Sequence, residues 1–116
     1  MNKYSDRPDY ELNLAVARHL GHKPSLEHGV VKIKKELRHG VVIYSDNFDP
    51  CNNPADAMPI VKDNLISLEH DGIAWQVSCV RHPEISVWDG CENYNDNFYR
   101  KAMELFLLMK DAENES

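Results

Sequence analysis

The sequence predicts an α+β domain, with three helices packed on a small, mostly antiparallel sheet. Three observations carry that expectation. Apolar residues recur at helical spacing near the start and again near the end of the chain, and Asn53, Pro54 and Asp56 mark a helix start between them. Between those stretches lie short runs rich in β-branched and aromatic residues, grouped in pairs around turn residues. The resulting order is helix, two strands, helix, two strands, helix, with no run of regular βαβ units.

The first helix is read in DRPDYELNLAVARHLG, where Tyr10, Leu14, Ala17 and Gly21 share one stripe. Leu12, Ala15, Val16, His19 and Leu20 widen it. Ser5 or Asp6 can cap its start, Pro8 suits the first turn, and Asp9 and Glu11 sit near the positive end of the helix dipole. Gly21 suits a left-handed stop, and GHKPSLEHG follows as a loop. Val31, Ile33 and Lys35 then alternate with Lys32, Lys34 and Glu36, and Val41–Ser45 is strongly strand-forming. Arg38, His39 and Gly40 provide turn chemistry between the two, so an antiparallel pair is expected.

A short helix is expected in NPADAMPIVKDN. Asp49-Pro50 favours a turn before it, and Asn52 tolerates left-handed backbone. Asn53 suits the N-cap, Pro54 the first helical position, and Asp56 the third, close to unbonded amides. Pro59 kinks this helix or confines it to a turn or two. LISLEHDG leads out of it to a His-Asp-Gly turn. Ile73, Trp75, Val77 and Cys79 alternate as in a half-buried strand, RHPE breaks it, and Ile85–Trp88 returns as its partner. After the loop DGCENYNDN, the stretch FYRKAMELFLLMKDA forms the last helix. Phe98, Ala102, Leu105, Phe106 and Met109 line one face, and Met103 and Leu107 broaden it toward burial on more than one side. DAENES, residues 111–116, reads as a frayed acidic tail.

A length of 116 residues fits a single domain spanning 1–116. Hydrophobic residues at 42% and charged residues at 28% are those of a folded globular chain rather than a disordered one. A net charge of -6, with both signs interspersed, works against nucleic acid as a partner, because phosphate neutralisation needs clustered Lys and Arg. The opening MNKYSDRPDY lacks the apolar core of a secretory signal, and Leu105–Met109 is far too short to span a bilayer. Cys51, Cys79 and Cys91 are odd in number and form no C-x-x-C, so they read as reduced cytoplasmic thiols.

The stretch FDPCNNPADAMPI, followed by ISL, resembles the phage NinX-like proteins, most specifically in DPCNNPADA at Asp49–Ala57. Met58 stands where tryptophan is common in that family. LNLAVARHLG is similar to the family's opening helix and YRKAMELFLLMKD to its closing segment. The resemblance implies a lambdoid phage or prophage origin and a place in the cytoplasm of the bacterial host. It implies no reaction.

The candidate site is the loop that carries the resemblance: Asp49, Cys51, Asn52, Asn53 and Asp56 form a binding surface of exposed polar groups. An unidentified protein or small ligand is the expected partner, and no catalytic residue, cofactor or metal is assigned. Two other readings compete. One is an enzyme built around Cys51 and Asp49, since a thiol before a helix N-terminus can be acidified; it would need a base that no motif supplies. The other is a weak nucleic-acid factor using Lys32, Lys34 and Lys35. His19 with His22, and Cys79 with His82 and Cys91, have partial metal-ligand spacing but lack a clear fourth ligand. Trp75, Trp88, Tyr94, Phe98 and Tyr99 read as core rather than as a base-stacking platform.

Overall fold

The computed structural model describes residues 3–36, 40, 42–45, 47–88 and 97–114. Helix α1 runs Asp9–His19. Pro8, in extended backbone, is its N-cap and no side chain caps it. Neither Ser5 nor Asp6 takes that role, because the chain turns earlier: the Arg7 amide donates to the Tyr4 carbonyl at 3.2 Å. Gly21 has φ +88° and closes the helix, with the His22 amide donating to Ala17 at 3.0 Å. The buried face is Leu12, Asn13, Val16 and Ala17, whereas Tyr10, His19 and Leu20 are exposed.

Strand β1, Ser25–Glu27, pairs antiparallel with β2, Val30–Glu36. A loop was expected here. The two residues between the strands, His28 and Gly29, both have positive φ, +53° and +79°, which suits the right-handed twist of a two-residue hairpin. Strand β3, Val42–Ser45, pairs with β2 from Ile33↔Ser45 to Glu36↔Val42, so the expected pair is present. Of its turn, Arg38 and His39 lie outside the described residues, and Gly40 has φ +75°.

Helix α2 covers Pro54–Asp63, three turns despite Pro59 inside it. Its last residues turn through Leu65, at φ +57°, into β4, Ile66–His70, a strand where only a connection to the His-Asp-Gly turn was expected. Strand β5 begins at Trp75 rather than Ile73 and ends at Cys79. Asp71 ends the strand before it by accepting from the amides of Ile73 and Ala74 at 2.8 and 2.9 Å, which leaves Ile73 exposed in the turn. Strand β6, Ser86–Trp88, returns antiparallel to β5 as expected. The sheet is therefore divided into two three-stranded antiparallel sheets, β1-β2-β3 and β4-β5-β6.

Helix α3, Phe98–Asn114, binds these parts together. It packs against α1, α2 and all three strands of the second sheet. Ala102, Met103, Leu105, Phe106, Leu107 and Met109 are buried, as the breadth of its apolar face predicts. The expected fraying from Asp111 does not occur before Asn114. Asp111 accepts from the Tyr4 hydroxyl and pairs with Lys3 at 2.8 Å, which holds that turn. Two charged residues are buried with the apolar ones, Lys101 and Glu104. The Lys101 ammonium donates to the Trp75 carbonyl at 3.2 Å, joining α3 to β5. Among the described residues, no helix is long and apolar enough to cross a membrane.

Candidate functional site

The segment between β3 and α2 is fixed at its start by the Phe48 amide, which donates to Val31 of β2 at 2.7 Å. The Asp49 carbonyl then accepts from the amides of Asn52 and Asn53 at 3.1 and 2.7 Å, closing a tight turn around Pro50 and Cys51. Asn53 caps α2 as predicted: its side chain accepts from the Ala55 amide at 3.0 Å, and Pro54 sits in the first turn. Asp56 reaches back from the third helical position, accepting from the Asp49 amide at 3.0 Å and the Asn53 side chain at 3.3 Å. Asp49, Asn52, Asn53 and Asp56 are thus brought together by the helix start itself.

Residues from α1 and α3 complete the arrangement. Asn13 faces inward from α1; it donates to the Asp49 carboxylate at 2.9 Å and accepts from the Cys51 amide at 3.2 Å. Asn52 donates to Asp9 at 2.9 Å and to Asp49 at 3.1 Å. Asn97, just before α3, donates to the Cys51 carbonyl at 2.8 Å and to Asn52 at 2.9 Å. Arg100 lies at the centre. Its guanidinium pairs with Asp9, bonds Glu104 at 3.3 Å, and donates to the carbonyls of Tyr4 and Arg7 at 2.9 and 2.6 Å.

Cys51 lies beneath this lattice with no exposed surface. Its sulfur is 3.9 Å from the Asp9 carbonyl. Burial pushes the thiol well above its ordinary range, the Asp9 carboxylate pushes it further, and the Arg100 cation only partly opposes them. The thiol is therefore protonated at neutral pH, and a protonated thiol is a poor nucleophile. For Asp9 the balance is reversed. Burial raises it, but hydrogen bonds from Asn52 and Arg100, with the Arg100 charge, hold it below the usual carboxylate range.

The other candidates are dispersed. His19 meets the edge of Phe106 and His22 the edge of Phe48, in separate contacts. Cys79 is buried against the Asn64 carbonyl, and His82 lies between Glu84 and Glu113; Cys91 lies outside the described residues. No group of three or more metal-ligating side chains is assembled among the described residues. Lys32 pairs with Glu27 at 2.8 Å, Lys34 is exposed, and the side chain of Lys35 lies outside the described set. Trp75 stacks on Phe98 at 4.8 Å and Phe98 on Tyr99 at 4.4 Å, all half-buried; the Trp88 side chain and Tyr94 lie outside the described residues.

Sequence reasoning missed Asp9, Asn13, Asn97, Arg100 and Glu104. One signal was available: Asn13 interrupts the apolar run around Leu12, Leu14 and Val16, and a polar residue on a buried helical face needs a partner. Beside the loop lies a cleft of about 340 Å³. Ile33 and Phe48 form part of its lining, α2 contributes Ala55, Asp56, Pro59, Ile60, Asp63 and Asn64, and Leu20 and His22 contribute from the end of α1.

No curated protein and no solved structure matches the chain. A family model described as bacteriophage P22 NinX matches residues 3–110, which takes in α1, the 49–56 loop, α2 and the first three-quarters of α3, and the chain belongs to that family.

Proposed function

We propose that this protein acts as a non-enzymatic phage accessory factor, working as one domain in the host cytoplasm and making contact with a protein or small ligand through the exposed side of the 49–56 segment and the adjoining cleft. The observation that carries this reading is the state of Cys51. The only strongly nucleophilic side chain of the loop is fully buried, raised by its surroundings, and set against a backbone carbonyl rather than a base. The loop's polar groups are largely spent on one another and on Asp9 and Asn13 of α1, which gives a stiff platform rather than a set of reactive groups. Stiff platforms lose little entropy on binding, which favours recognition.

The rate of Cys51 alkylation against pH in the folded protein tests this. A Cys79→Ser, Cys91→Ser background isolates the thiol. Alkylation should be slow at neutral pH and limited by opening of the fold. Rapid modification with an apparent pKa below about 7 would mark an activated thiol and overturn the binding reading in favour of thiol chemistry.

A further inference from the structure

The cleft beside α2 has a one-sided chemistry. Asp56 and Asp63 are seven residues apart on α2, which places them on the same face, two turns or about 10.5 Å apart. Pro59 and Ile60 lie between them, so this face of the helix reads acid, apolar, apolar, acid. One oxygen of Asp56 is engaged by Asp49 and Asn53. Asp63 is exposed and makes no hydrogen bond or ion pair among the described residues. Asn64 uses its side-chain N–H on the Ile60 carbonyl at 2.8 Å, which leaves its amide oxygen as an acceptor. Pro59 has no N–H to give to the Ala55 carbonyl four residues back. Among the described residues, no lysine or arginine lines the cleft.

The apolar part is built to match. Ile33 and Phe48 are buried beneath it, and Leu20 stands 40% exposed at its margin. An acceptor-rich wall over an apolar floor is complementary to a chain that brings hydrogen-bond donors, positive charge and one large apolar side chain.

We infer that the cleft between α2 and the end of α1 docks a basic segment of another protein, an apolar side chain seated over Ile33 and Phe48 with flanking lysine or arginine side chains reaching Asp56 and Asp63. This rests on the binding reading above and names its partner class. Net charge of -6 on the chain favours the approach of such a segment, so its association rate falls as salt rises.

The test uses the full chain and a display library of random peptides, followed by titration of the best labelled peptide. Enriched sequences should carry a leucine, methionine or aromatic residue flanked by Lys or Arg. Asp63→Lys changes only an exposed side chain with no partner among the described residues, so it leaves the fold intact while reversing the charge; it should weaken the selected peptide at least tenfold. Asp63→Asn should weaken it less, and circular dichroism confirms that both variants are folded. Enrichment of acidic or uncharged sequences, affinity unaltered by Asp63→Lys, or no enrichment over an unrelated protein would each overturn the inference. A concentration-dependent dimer abolished by Asp63→Lys would assign the cleft to a second copy and overturn it too. Peptides that bind but ignore Asp63 refute this site while leaving the binding reading standing; only the Cys51 measurement removes the latter.

Discussion

Replacing Arg100 by methionine keeps most of the side-chain length and removes the guanidinium. The consequence follows from the exposure of each partner. Asp9 is 42% exposed as a side chain, so its lost pair is screened by water and counts for under about 1 kcal/mol. Glu104 is different: its side chain is 4% exposed, and without the guanidinium it loses a charged partner that water cannot easily replace. Removing one member of a buried pair costs about 3–5 kcal/mol. The carbonyls of Tyr4 and Arg7 lose donors as well. We expect a loss of about 3–5 kcal/mol from a total that is typically about 5–15 kcal/mol. Urea denaturation followed by circular dichroism measures it; with a slope of about 1.5 kcal/mol/M the midpoint falls by about 2–3 M. Glu104→Gln added to Arg100→Met should restore part of the loss, since a neutral amide is easier to bury than a carboxylate deprived of its cation. A single-variant loss below about 1 kcal/mol, or a double variant whose effects simply add, would show that Arg100 does not hold this junction together.

Phe106→Ala should lower stability by about 3–5 kcal/mol, because the ring is 1% exposed at the centre of the core; a change under about 0.5 kcal/mol in the denaturant midpoint would contradict that placement. Asn53→Ala removes the cap on α2 and should lose about 0.5–2 kcal/mol, with Asn53→Asp retaining most of the stability; equal losses in both would argue against capping. Asp9 titrates below its ordinary value in the folded chain, so its contribution is present above the unfolded pKa of about 3.9 and disappears as pH falls through the folded one. Stability measured from about pH 5 downward should therefore fall, and Asp9→Asn should flatten that fall; an unchanged slope in the variant would assign the acid sensitivity elsewhere.

Local chemistry was legible from residue order, and pairing across the chain was not. Asn53, Pro54 and Asp56 announce the start of α2 because capping acts within four residues. The wide apolar face of α3 announces its central position for a similar reason: burial on several sides leaves a pattern in a single segment. Strand β1 was missed because it is exposed throughout, and β4 because its alternation, Ile66 and Leu68 inward with Ser67 and Glu69 outward, is only four residues long. Both depend on a partner strand that residue order does not display. The loop at Asp49–Asp56 was correctly marked as unusual, but its polar residues looked available. Their partners Asp9, Asn13 and Asn97 come from elements up to 45 residues away in sequence, and Asp9 is held in turn by Arg100, 91 residues from it. For that reason Cys51 could be read as reactive until its surroundings were known.

The position of α3 also bears on how the chain is made. Tyr4 and Asp9 leave the ribosome about ninety residues ahead of their partner Arg100, which belongs to the helix against which both α1 and the second sheet pack. Everything before Phe98 emerges without its central helix, exposing the faces of Leu12, Val16, Val77 and Val87 that later meet it. Hairpins such as β4–β5 close from local contacts, but the whole cannot lock until that helix arrives. Until then the nascent chain is a natural client for chaperones. A chain cut before position 98 would be a sticky fragment, while one that keeps α3 holds the helix on which α1, α2 and the second sheet pack.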